Sequence, residues 1–447
     1  MSRFISAAAM LVVVAIILIT QGGTMASVYG TAVFALMFAK LGASLVRRPQ
    51  TAAAPEDLVK VNDLRVGAII TVYNEDPEAF AKCLDSVLDQ TRHPTTLVVV
   101  DDASTDSRAL AYALSPEVVR RFRDAGIGYQ VVEFTENKGK RQGLAAGFRL
   151  HADTDIYLGI DSDTVLDKYA IERGMLPFAS DKVNAVTGLV LALNARKNVL
   201  TRLIDLRYAN AFLYERAAYS LLGAVLCCCG SLAFYRGTVV REHLHGFLNQ
   251  RFLGRLSTFG DDRHMTNYCL LTGKAVLQAN AVAWTLVPEN VRHYLRQQVR
   301  WNKSFFRESL WIIRVGQISR PGFWLALLEL ISWTCFTGVL IFAMVMMLIS
   351  AQGALLLVYL MHAMLLSYAW SARYLESGDR TRIPWTERLG TFLLAPLYGL
   401  LHMGVLLWVR VYSLCTLRDT AWGTRKGVEV SLPAMTGPRE QPPGVSE

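Results

Sequence analysis

The residues that could do chemistry in this chain are carboxylates in pairs. Asp261 and Asp262 follow Gly260, Asp161 and Asp163 flank Ser162, Asp101 and Asp102 stand together, and Glu75 closes the turn Tyr73-Asn74-Glu75. An Asp pair after a glycine is by itself a good helix start, because acidic side chains suit an N-cap and a first turn. The accompanying motifs add to that reading. An ionised carboxylate can take the proton of an attacking hydroxyl, so Asp262 is the candidate general base, with Asp261 orienting a neighbour. Carboxylates two residues apart reach one Mg²⁺ or Mn²⁺ when the backbone turns between them, which makes Asp161 and Asp163 the candidate metal pair. Such an ion would neutralise a departing diphosphate.

The remaining candidates are cations, acceptors and an aromatic. Lys138-Gly139-Lys140-Arg141 reads either as a phosphate-binding turn or as an exposed basic helix start. Glu75 and Asp102, at strand ends, can accept from a uracil N–H or from ribose hydroxyls, whereas Ser104 and Asp106 fit better as caps of a turn. In Gln297-Gln298-Val299-Arg300-Trp301, the indole can stack on a sugar face while Arg300 reaches phosphate oxygens. Tryptophan is also common at membrane interfaces for its own sake. Together these groups point to transfer of a sugar from a nucleotide.

Short β-branched runs at residues 66–72, 96–100, 129–134, 156–160 and 185–191 precede the acidic turns. Helical stretches fill 77–89, 107–124 and 139–151, and a helical pattern runs through 258–301. Strands alternating with helices imply a mostly parallel sheet with helices on both faces. Ligands then bind at the carboxyl ends of the strands, where the acidic motifs fall.

The chain has 447 residues, 52% hydrophobic and 19% charged, with a net charge of +9. That balance fits a membrane protein with a soluble middle. The basic clusters at Arg47-Arg48, 292–307 and 418–426 adjoin apolar segments, so lipid and cytoplasmic flanks explain them better than nucleic acid, and no nucleic-acid partner is expected. Seven cysteines, three of them adjacent at Cys227-Cys228-Cys229, read as reduced cytosolic thiols. Apolar stretches at 4–20, 27–46, 322–350, 354–373 and 389–417 are of membrane-crossing length. Pro396 is expected to fold the last of them into a hairpin that returns the basic tail to the cytoplasm. The linker 49–65 shows no sign of a folded unit, and the Pro- and Gly-rich end from Ser431 reads as disordered.

With these motifs in place, the chain resembles the membrane-embedded, processive family 2 glycosyltransferases, and most closely the class I hyaluronan synthases of streptococcal type. The specific matches are Trp301-Asn302-Lys303-Ser304-Phe305-Phe306-Arg307-Glu308, residues 412–417, and Trp422-Gly423-Thr424-Arg425. The resemblance implies a GT-A-type α/β domain on the cytosolic side, combined with transmembrane and interfacial helices. It implies UDP-GlcNAc and UDP-glucuronate as alternating donors, Mg²⁺ or Mn²⁺, and export of a growing hyaluronan chain across the plasma membrane by a multi-pass protein in contact with lipid. The expected organisation is two spans in 1–48, a linker 49–65, the catalytic domain 66–300, interfacial helices 301–320, channel helices 321–417, a gating-type loop 418–430 and a tail 431–447.

Carried over residue by residue, the resemblance places Tyr73, Glu75 and Asp102 at the nucleotide, and Lys140, Arg141 and Asp161 at the diphosphate. Asp161 and Asp163 fall at the metal, and Asp262 at the acceptor hydroxyl beside Asp261. Cys228 and Trp301 belong to the acceptor side, Gln297, Gln298 and Arg300 bind substrate in the same run as Trp301, and Trp422 and Arg425 belong to the closing loop. One departure stands out: Cys228-Cys229-Gly230-Ser231 replaces a Cys-Ser-Gly-Pro run and is similar to the chitooligosaccharide synthases, which use UDP-GlcNAc alone.

Overall fold

The computed structural model describes residues 24–46, 48–51, 54–350, 364–380, 383–419 and 430. Helix α1 (Thr24–Val46) precedes α2 (Pro55–Asp63), which leads into β1 (Val66–Val72). Next come α3 (Pro77–Leu88), β2 (Thr96–Asp101), α4 (Arg108–Ala113), α5 (Pro116–Asp124), β3 (Gly128–Glu133), α6 (Lys140–Leu150) and β4 (Ile156–Asp161). Pro77 and Pro116 start their helices where the missing N–H costs nothing, behind Asp76 and Ser115, whose side chains accept from Ala79 N and Val118 N. The Ser115-Pro116 break divides in two what the sequence reads as one helix over 107–124.

The second half adds β5 (Thr164–Leu166), α7 (Ala170–Met175), β6 (Val183–Ala192), α8 (Val199–Ala209), α9 (Ala217–Leu221), β7 (Ala233–Arg236) and α10 (Gly237–Leu248). A small hairpin, β8 (Arg251–Phe252) and β9 (Arg255–Leu256), leads to α11 (Asp261–Thr272) and β10 (Lys274–Thr285). The order of the main sheet is β3-β2-β1-β4-β7-β6-β10-β5. Strands β3, β2, β1 and β4 are parallel, as are β6 and β10; β7 runs antiparallel between β4 and β6, and β5 antiparallel against β10. Parallel register sets the site: Val72 lies opposite Asp101, and Thr71 opposite Asp161, so three acidic turns leave the sheet at one edge. β6 is buried along its whole length, as a strand covered on both faces must be.

Long helices complete the chain: α12 (Val291–Val315), α13 (Pro321–Ser350) and α14 (Trp385–Cys415). Among the described residues, Pro321–Met346 and Trp385–Cys415 are long and apolar enough to cross a membrane.

Four expectations change. Residues 258–301 are not helical throughout, because Lys274–Thr285 forms the long strand β10. The linker holds a helix, α2. The boundary drawn at residue 300 falls inside α12, which carries Gln297 to Trp301 and the following amphipathic turns as one piece. Pro396 makes no hairpin: it sits in the first turn of Ala395–Leu401 after a turn at Leu394, so the apolar block continues as successive helical segments to Cys415. The expected span at 4–20, the first part of that at 354–373, Trp422 to Arg425 and the tail from Ser431 lie outside the described residues.

Candidate active site

Backbone constraints fix the acidic strand-end turns first. Asn74 adopts a positive φ of 47° and its Oδ1 accepts from Thr105 N at 2.8 Å and Asp106 N at 3.1 Å, tying the β1 and β2 turns together. Asp101 closes its own turn, accepting from Ser104 N at 2.9 Å and Ser104 Oγ at 2.6 Å. Asp102 reaches the next loop, where Oδ1 and Oδ2 accept from Lys138 N at 2.6 Å and Gly139 N at 2.8 Å. Burial nonetheless raises the Asp102 carboxyl above its usual range. Glu75 is buried and accepts from Ser162 Oγ at 2.8 Å, while Tyr73 stands half-buried beside it. Glu75, Asp102 and the Asp161–Asp163 turn thus share one rigid rim.

The centre of the site is Lys140 on Asp161. The ammonium bonds Asp161 Oδ1, and Ser231 Oγ donates to Oδ2 at 2.6 Å. Gly230 is what permits the approach, since a Cβ there would stand 2.9 Å from Lys140 Nζ and 3.4 Å from Asp161 Oδ1. Burial disfavours the ammonium, yet Asp161 and Asp261 outweigh it and hold Lys140 above its ordinary value, so it stays charged. Asp163 accepts from Thr285 Oγ1 at 2.8 Å, so β10 fixes it from across the sheet. Lys140, Asp261 and Asp262 line one cleft with Gly230 and Tyr235.

Asp261 and Asp262 occupy the first turn of α11, where the helix N-terminus favours negative charge. Gly260 enters that helix in the left-handed region at φ 86°, and any Cβ there would collide with Ser304 Oγ at 2.4 Å. Asp262 Oδ1 accepts from Arg263 N at 2.7 Å, and the Cys227 thiol donates to Oδ2 at 3.5 Å. Burial, then the charge of Asp261, raises the Asp262 carboxyl. That is the direction a general base requires.

Two candidates, Arg141 and Cys228, are not among the residues that line this cleft. Arg141 is 4% exposed, and its guanidinium donates to Phe247 O and Gln250 Oε1, both at 3.0 Å, so it braces α10 behind the site instead of lining it. Cys228 is fully buried, its thiol pushed up to about 12 by burial; the neighbouring Cys227 is the cysteine that meets Asp262. On α12, Trp301 is 45% exposed with its ring centroid 6.1 Å from Tyr208. Gln297, Gln298 and Arg300 are half-buried on the same helix, and Gln297 Oε1 is buried without a hydrogen-bond partner.

Sequence reasoning missed Tyr208, which neighbours Trp301 and lies within electrostatic reach of Asp161 and Asp163. It missed the brace beneath Asp262 as well: His264 Nδ1 lies 2.8 Å from Glu308 Oε2, both fully buried, with Gln250 donating to Glu308 Oε1 at 2.6 Å. A histidine two residues after the Asp pair and a glutamate at the end of the Trp301 run were the available signals.

The sheet, the strand-end carboxylates and the cation over Asp161 define a glycosyltransferase of GT-A-like fold. Residues 64–304 match the family described as Glycosyltransferase like family 2, and the chain belongs to that family, whose members invert at the transferred carbon. Within it the chain is a homologue of hyaluronan synthases: it is 40% identical to the hyaluronan synthase of Streptococcus pyogenes over 412 residues, 92% of this chain and 93% of that one. N-acetylglucosaminyltransferases are more distant. That of Azorhizobium caulinodans is 31% identical over 81% of this chain and 87% of its own, and that of Sinorhizobium fredii 34% over 80% and 84%. Among solved structures, a mannosyltransferase from Pyrobaculum calidifontis, in complex with GDP-Man and Mn²⁺, aligns with a TM-score of 0.53 at 19% identity, over 94% of this chain and 100% of that one. At that identity the likeness establishes the fold.

Proposed function

We propose that the chain is a processive hyaluronan synthase that takes GlcNAc and glucuronate alternately from their UDP donors and exports the β-linked polymer through its own membrane helices. The observation that carries this reading is the match to the streptococcal synthase across nearly the whole of both chains, helices beyond the catalytic domain included. The local geometry supports it. Glu75 and Asp102 are fixed acceptors for the uridine, and Lys140 is a retained charge for the diphosphate. Asp262 takes the proton of the acceptor hydroxyl while that oxygen bonds the anomeric carbon from the face opposite the leaving UDP, inverting it. Trp301 holds the acceptor ring by stacking.

A divalent ion fits the donor set. Asp161 and Asp163 are hard oxygen donors two residues apart at one turn, and the ion would take the oxygen of Asp161 that the Lys140 ammonium now holds. The ion, Mg²⁺ or Mn²⁺, would offset charge on the departing diphosphate.

The Cys227-Cys228-Cys229-Gly230 run favours a second reading, a chitooligosaccharide synthase using UDP-GlcNAc alone. Polymer assays with each donor singly and with both separate the two. Long product only with both donors, cut by hyaluronidase, is expected; oligomers from UDP-GlcNAc alone, unchanged by glucuronate, would favour the second.

A further inference from the structure

A set of polar groups beyond Trp301 has no part in the chemistry just described. It starts at Tyr208, which neighbours Trp301 and is within electrostatic reach of the Asp161–Asp163 turn on one side and of Arg207 on the other. Nη1 of Arg207 is buried and makes no hydrogen bond, its ion pair with Glu215 being stretched to 3.7 Å. Across from it on α14, Arg410 lies within electrostatic reach of Arg207 and Glu215. Arg410 Nε donates to Asn302 Oδ1 at 3.1 Å and its guanidinium lies 5.7 Å from the Trp333 ring centre. No carboxylate among the described residues forms an ion pair with it. The helices that carry these arginines both loosen into π-helical turns, at Asn210–Arg216 just after Arg207 and at His402–Leu406 just before Arg410. Such turns interrupt α-helices frequently at functional sites.

Glu329, also within electrostatic reach of Arg410, is paired with Arg263 at 3.3 Å, so three guanidiniums share two carboxylates in a half-buried space and leave positive charge uncompensated. Holding such charge out of water is costly unless an anion joins it. A guanidinium matches a carboxylate with two parallel hydrogen bonds, and the Tyr208–Trp301 rings supply faces on which a pyranose stacks. A neutral sugar would satisfy the rings and leave that excess charge unmet.

We propose that Arg207 and Arg410 form a carboxylate-reading station on the path of the growing chain beyond Trp301, binding the uronic acid of the polymer. This rests on the hyaluronan reading and adds to it a place where alternation is checked in the product as well as in the donor pocket.

The test is equilibrium binding of defined oligosaccharides to the full-length, detergent-solubilised protein, read by tryptophan fluorescence, with hyaluronan oligomers set against neutral N-acetylchitooligosaccharides of equal length. The parent protein should bind the acidic oligomer at least tenfold more tightly, with an affinity that falls as salt rises while neutral binding does not. Arg207→Gln and Arg410→Gln should each remove most of that preference while changing neutral binding less than twofold, and Arg410→Lys should restore part of it. Equal, salt-insensitive binding of both oligomers by the parent would overturn the proposal even if no variant folds. So would variants that weaken both ligands alike. A parent that makes only UDP-GlcNAc oligomers would remove the hyaluronan reading itself; a parent that makes hyaluronan but shows no acidic preference would remove the station alone.

Discussion

At the scale of single residues, Asp262 and Gly230 carry the sharpest expectations. Because burial and Asp261 raise the Asp262 carboxyl, and only its ionised form can accept a proton, activity should fall with decreasing pH through a limb above the ordinary aspartate range. Asp261→Asn removes one of the raising charges, so the limb should move to lower pH; a pH profile of UDP release checks both, and a limb that stays put in the variant would contradict the assignment. Gly230→Ala should displace the flexible Lys140 ammonium from Asp161 at little cost in stability, with a higher donor KM and an unchanged circular-dichroism spectrum. Most of the acidic rim was legible because acidic residues placed just past β-branched runs must emerge at strand ends. Cys227 and Cys228 were not separable, since adjacent residues in an irregular loop have no period that says which one turns inward. The direction of Arg141 was hidden for a related reason: a cation one residue past Lys140 in a helix points about 100° away from it, here into the carbonyls around Phe247.

At the scale of elements, α11 and α12 are locked by the His264–Glu308 pair, so Asp262 and Trp301 move as one unit. Burial alone would raise Glu308, but His264 and Gln250 overrule it and hold the carboxyl below its usual value. The folded pKa is thus depressed, and the stabilisation it brings is present above the unfolded value near 4.5 and lost as pH falls through the folded one. Glu308→Ala should destabilise by about 3–5 kcal/mol by leaving His264 and its neighbours unpaired. Thermal melts against pH should show the parent losing stability in acid and the variant changing less; equal acid sensitivity would exclude Glu308 as the source. The parallel strands β1, β2, β3, β4 and β6 were readable as apolar runs. β10 was not, because Ala279, Asn280 and Ala281 sit at a register shift between Gln278 and Val282 that breaks its alternation. β7 was hidden by its brevity, four residues between a cysteine loop and a helix.

At the scale of the whole molecule, α14 meets the catalytic domain at both ends. Arg196 bonds Glu387 at 2.8 Å near its start, and Lys303 meets Asp419 at 3.2 Å just past its end. Leu406 packs with Val287 and Tyr294 between them. Hydropathy counted this block as a membrane-crossing length; it could not reveal the contacts that keep both ends beside the domain. A single cysteine introduced at Asp419 should therefore be labelled by an impermeant maleimide only from the face of the membrane that exposes the catalytic domain, and labelling from the opposite face would show that α14 crosses once.

The central claim is the alternating use of two donors, and its most direct measurement is polymer synthesis by the purified protein with Mg²⁺ or Mn²⁺, given UDP-GlcNAc, UDP-glucuronate or both. The account predicts high-molecular-weight, hyaluronidase-sensitive product only when both donors are present, and none from Asp262→Asn. Chitinase-sensitive oligomers formed at full yield from UDP-GlcNAc alone would contradict it.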